Sequence, residues 1–128
     1  MTRPARAARQ PELAPIVQVA VEAAEDRKAR DLVVLDLRGL ADATDWFLIA
    51  SGTSDAHVRG LADWIQDRMH RAGYRAHHVE GLGGKWVLLD YIDVVVHLFH
   101  PEARAFYQLE RLWNDAPAIH PEAGGTDR

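Results

Sequence analysis

Ser51-Gly52-Thr53-Ser54 falls between an apolar run and a helical pattern, the place where a phosphate-binding chain keeps free backbone amides. A nucleotidyltransferase uses such a turn, with two carboxylates one residue apart on a neighbouring strand so that both reach the same metal ions. No Asp-x-Asp or Glu-x-Glu follows here, and Asp90 and Asp93 are three apart across a turn. His77 and His78 are adjacent in an extended segment and point to opposite faces, so they do not grip one metal. His97 and His100 are three apart at a strand end, with nothing to make them converge; His97 reads as a packed, hydrogen-bonded sheet residue and His100 as a surface cap. A Ser-His-Asp hydrolase lacks its Gly-x-Ser-x-Gly elbow, and there is no Gly-x-x-x-x-Gly-Lys loop. By exclusion the chain reads as a binding protein without metal or cofactor, the alternative being a nucleotide-using enzyme built on the Ser51-Gly52 turn.

The strongest binding signal lies between Lys85 and His100. Trp86–Leu89 and Val94–Phe99 are two apolar runs rich in β-branched and aromatic residues, and the residues between them carry Asp90 and Asp93, the pattern of an antiparallel hairpin. Val94, Val95 and Val96 are apolar on both faces of a pleat, which predicts a central strand covered above and below. In the first strand the alternation puts Trp86, Leu88 and Asp90 on one face and Val87 and Leu89 on the other. An indole beside a carboxylate at a strand end suits a binding surface.

The other elements must hold that hairpin. Leu13, Ile16, Val17, Ala20 and Ala24 recur at helical spacing, with the end expected near Arg27–Arg30 and cations in the last turn. Leu32–Leu37 and Trp46–Ala50 read as buried strands. Ser54 caps the next helix and Asp55 suits its positive end; Val58, Leu61, Ala62, Ile65, Met69 and Ala72 form its apolar stripe, and Gly73 closes it. His57, Trp64, Arg68 and Arg71 fall on the flank of that stripe, read as an edge tryptophan under arginine stems. Tyr74–Glu80 is expected as a third strand, and Glu102–Trp113 as a last helix. The fold class is α/β (α+β): one layered domain with a mixed five-stranded sheet flanked by helices. Residues 1–11 are expected as a disordered leader, 12–116 as the domain and 117–128 as a tail.

The chain of 128 residues carries a net charge of −4. Three of its arginines, Arg3, Arg6 and Arg9, lie in a leader without acids, which leaves 12 bases against 19 acids in the rest. Such a body is a poor direct ligand for a phosphate backbone and suits a basic protein partner. The absence of cysteine excludes disulfides and thiolate metal sites. No apolar run is long enough to span a bilayer, so a cytoplasmic protein without a membrane partner is expected.

Several stretches together resemble the ribosomal silencing factor family, also called RsfS or Iojap-like proteins. They are residues 31–40 (DLVVLDLRGL), 44–52 (TDWFLIASG), the Val79-Glu80-Gly81 turn, 86–91 (WVLLDY), 93–97 (DVVVH) and 106–113 (FYQLERLW), in the family's order and spacing. The resemblance implies a nucleotidyltransferase-like core without its catalytic carboxylates. It also implies a cytoplasmic, non-catalytic repressor of translation that binds the large ribosomal subunit through the fourteenth protein of its standard series, the L14-type protein. By occupying the face that meets the small subunit, such a protein stops the subunits joining when nutrients are scarce; nucleic acid is then met only through the ribosome. On this reading Trp86, Leu88 and Tyr91 form an apolar anchor ringed by Glu80, Asp90 and Asp93, with Trp86 carrying most of the affinity. In the free protein the same face is a candidate for homodimer pairing. The chain has Ile92 where the family commonly has glycine, so the turn is expected to keep Ile92 at negative φ.

Overall fold

The computed structural model describes residues 12–103 and 116–121. Helix α1 (Pro15–Asp26) starts with proline in its first turn, where the missing N–H is no loss, and buries Val17, Ala20, Val21, Ala23 and Ala24. It ends sooner than its cations suggest. Lys28 turns left-handed at φ 58° while the amides of Lys28 and Ala29 return to the Glu25 and Ala24 carbonyls, so Arg27 and Lys28 lie past the last turn. Helix α2 (Asp55–Arg71) buries the expected stripe through Met69, and the Ser54 hydroxyl accepts from the His57 amide at 3.0 Å.

Among the described residues six strands form one sheet: β1 (Arg30–Asp36), β2 (Trp46–Ser51), β3 (His78–Glu80), β4 (Trp86–Asp90), β5 (Val94–Phe99) and β6 (Ala118–Ile119). Their spatial order is β3-β4-β5-β2-β1-β6, and of these six β2 and β5 pair in parallel and the other neighbours antiparallel. The mixed sheet is as expected, but among the described residues it has six strands rather than five. The extra one lies in the supposed tail, where Ala118 and Ile119 pair with Leu35 and Val34 and the Pro117 carbonyl accepts the Asp36 amide at 3.0 Å. Two residues between prolines carry no periodicity, which is why the segment reads as a tail. β3 is three residues long rather than seven, because pairing begins only where His78 comes opposite Asp90. The turn Pro101–Ala103 is helical; the remainder of the helix expected there, and the leader 1–11, lie outside the described residues.

Both helices cover one face of the sheet. Val34, Leu48, Ala50, Val87, Leu89, Val96 and Leu98 pack against α1 and α2 in the main core. The opposite face carries a second apolar cluster of Val33, Leu35, Leu37, Ile49 and Phe99, with Phe47 and Trp86 partly buried against it. Among the described residues no helix is long and apolar enough to cross a membrane.

Candidate functional site

Alternation in β4 appears directly in its burial: Val87 and Leu89 are buried, whereas Trp86, Leu88 and Asp90 are only partly covered. Strand register extends this second face sideways. Glu80 lies opposite Leu88 and His78 opposite Asp90 on the β3 side; on the β5 side Trp86, Leu88 and Asp90 face Phe99, His97 and Val95. Residues directly opposite one another share a face. Trp86, Leu88, Asp90 and Glu80 are thereby brought together, and His78, exposed and 2.7 Å from a Glu80 carboxylate oxygen, joins them.

Tyr91 does not join them. One residue past the strand, it continues the alternation onto the helix side and is 6% exposed in the main core, where burial pushes its hydroxyl up to about 12. Asp93 is exposed in the turn, and its carbonyl, not its carboxylate, ties that turn to β2 through the amides of Asp45 and Trp46 at 3.2 and 3.1 Å. The turn amide is held instead by Asp90, whose Oδ1 accepts from Ile92 N–H at 2.8 Å. The expectation for Ile92 fails: its φ is 72°. The Asp93 amide donates to the Tyr91 carbonyl two residues back, closing a γ-turn, and this bond together with Asp90's outweighs the local preference of a β-branched residue.

Beneath the face lies an aromatic cluster. The Trp86 indole stacks on Phe99 with centroids 5.1 Å apart, and its Nε1–H donates to His97 Nδ1 at 3.1 Å. Phe47 packs on the imidazole in a T-shaped arrangement with ring centroids 4.6 Å apart. His97 is 4% exposed, and burial holds it well below its ordinary value, at about 4, against the opposing pull of the Asp90 charge. Spacing identifies His97 as a sheet residue; only the register of β4 on β5 reveals that it meets Trp86.

The glycine-serine turn lies elsewhere. The Gly52 amide donates to the Phe99 carbonyl at 2.9 Å, and the Thr53 amide donates to His57 Nδ1 at 2.8 Å, so both are engaged. A Cβ on Gly52 would come within 2.8 Å of the Val58 side chain, so the glycine serves close packing of strand on helix. Asp90, level with Phe47 across β5, sits four residues of strand rise from Ser51, about 13 Å. The aspartates and this turn occupy opposite ends of the sheet. His100 Nε2 lies 3.7 Å from an Asp55 carboxylate oxygen, and among the described residues no three potential ligands converge on a metal position.

On the flank of α2, Trp64 donates to Asp26 at 2.9 Å under the guanidinium of Arg27, 4.0 Å from the ring centroid, with Arg71 at 5.6 Å. Arg68 pairs with Asp26 and Glu22, and His57 Nε2 bonds the Arg27 carbonyl at 2.7 Å. These contacts join α1 to α2, a structural use of the flank.

The family model described as "Ribosomal silencing factor during starvation" matches residues 10–127. The chain is 42% identical over 110 residues to the ribosomal silencing factor RsfS of Bacillus subtilis, covering 85% of this chain and 93% of that protein. A mouse relative named as mitochondrial assembly of ribosomal large subunit protein 1 is 30% identical over 101 residues, covering 76% of this chain and 44% of its own length. A solved structure from Chromobacterium violaceum superposes with a TM-score of 0.77 at 37% identity, covering 81% of this chain and 88% of that one. With fold, motif order and near full-length matches in agreement, the chain belongs to the ribosomal silencing factor (RsfS/Iojap) family.

Proposed function

We propose that this protein represses translation by docking on the large ribosomal subunit through the face carrying Trp86, Leu88, Asp90 and Glu80. The face meets the basic L14-type protein there and sterically prevents the small subunit from joining. The observation that carries this reading is the composition of the face: a partly covered indole and leucine at the centre, with Glu80, Asp90 and, at the turn, Asp93 around them. An apolar centre supplies affinity once water is excluded, and an acidic fringe orients a basic partner. A cytoplasmic, ribosome-bound protein of this kind needs no cofactor, since its effect is to occupy space.

The rival reading, a nucleotide-using enzyme on the Ser51-Gly52 turn, is disfavoured by the engaged Gly52 and Thr53 amides and by the distance of Asp90 from that turn. Calorimetry with nucleoside triphosphate and magnesium distinguishes the two: an enzyme binds both, and the proposed blocker gives no heat. The docking reading is tested by sedimenting the purified protein with separated large and small subunits. It is expected with the large subunit alone, and failure to co-sediment with either would reject the reading. Self-pairing of the same face would appear in light scattering of the free protein as a mass that doubles with concentration.

A further inference from the structure

We infer that His97 is the positioning residue for Trp86: it fixes the indole's rotamer and consumes its N–H, so that Trp86 meets a partner as a preoriented apolar ring. The inference rests on the docking reading above and names what prepares the face for it.

His97 is held by strands on both sides, opposite Leu88 on β4 and Ile49 on β2. Trp86 is opposite Phe99, one row along, so the bond from its Nε1 to His97 Nδ1 at 3.1 Å tilts the indole toward the row that carries Leu88 and Glu80. Phe99, directly opposite on β5, stacks on the ring with centroids 5.1 Å apart, and Phe47 packs T-shaped on the imidazole with centroids 4.6 Å apart. An acceptor at Nδ1 requires the neutral ring's proton on Nε2, and Nε2 is buried with no hydrogen-bond partner among the described residues. A histidine placed only for packing would be a poor choice, since its surroundings are aromatic and one of its polar atoms finds no partner among the described residues. The acceptor it presents to Trp86 is what an aliphatic residue could not supply. An indole already fixed in one rotamer gives up less freedom on docking, and with its N–H satisfied it asks no acceptor of the partner.

The test compares His97→Leu, which fills the site without an acceptor, with His97→Asn, whose amide oxygen lies near the Nδ1 position. In ¹⁵N-labelled protein the Trp86 indole resonance is assigned by its loss in Trp86→Phe. His97→Leu is expected to keep the wild-type melting temperature or raise it, to shift that resonance and speed its solvent exchange, and to weaken large-subunit binding about five- to tenfold. His97→Asn should recover much of both. Should His97→Leu fail to fold, Trp86→Phe keeps the ring on Phe99 and removes the donor, and the same weakening is expected. Unchanged indole shift and exchange in His97→Leu would overturn the inference, as would wild-type affinity in that variant beside a weakened Trp86→Ala. If Trp86→Ala itself binds like wild type, the docking reading falls, and the indole data alone decide whether His97 holds Trp86.

Discussion

Trp86 has two roles that pull in different directions, since it stacks on Phe99 within the second cluster yet keeps part of its ring uncovered. Its replacement therefore separates them. Trp86→Ala is expected to leave the circular dichroism spectrum unchanged, because both β4 neighbours keep their backbone pairing, and to weaken large-subunit binding by at least about 2 kcal/mol, roughly thirtyfold, as for a central interface anchor. Loss of the spectrum would instead make the residue core. Ile92 poses the opposite case. It is 55% exposed and sits at φ 72°, where a β-branched side chain is strained. Ile92→Gly should raise thermal stability by up to about 1 kcal/mol, less than the full strain because glycine also loosens the unfolded chain. A lower melting temperature would show that Ile92 contributes contacts outweighing that strain. His97 sets a pH dependence whose sign follows from burial. In the unfolded chain it takes up its proton near 6.5, in the folded chain only at about 4, so between these values the unfolded state holds more protons. Stability should fall as pH drops from about 7 to about 4, by about 3 kcal/mol at most. The pH profile of His97→Leu, followed by urea unfolding, should lack that component; identical profiles would refute it.

At the scale of elements, the β4–β5 hairpin was legible because its two strands obey different burial rules. β4 alternates and is covered on one side, and β5 is apolar apart from His97 because helices and the second cluster cover both faces. The side of Tyr91 was not legible, since it depends on the alternation continuing beyond the last ladder residue. Nor was the sign of φ at Ile92, which the Asp90 carboxylate and the Tyr91 carbonyl impose from outside the residue. β6 left no pattern because two residues cannot show a period, and β3 was over-extended because Tyr74 and Ala76 are apolar and pack on the core without pairing. One element carries a sharp constraint. Gly81 sits at φ 83° at the entrance to the β3–β4 connection, and a Cβ there would run into the Trp86 carbonyl oxygen. Gly81→Ala should destabilise the fold by about 2 kcal/mol or more and loosen the β3–β4 pairing that holds Glu80 beside Leu88. Hydrogen exchange at the β3 and β4 amides reads this directly, and unaltered protection would contradict it.

For the whole molecule, the arrangement is a division between two faces. α1 and α2, tied together by Trp64, Asp26 and Arg68, supply the core on one side and leave β3–β4–β5 to present Trp86, Leu88, Asp90 and Glu80 on the other. On the docking proposed above, a protein of 128 residues placed on the joining face of a large subunit acts by its volume. The most direct measurement mixes separated ribosomal subunits at a magnesium concentration that favours joining and follows light scattering as the protein is added. Joining should fall in proportion to the fraction of large subunits occupied, and Trp86→Ala should restore it at the same concentration. Full joining with every large subunit occupied would contradict the account.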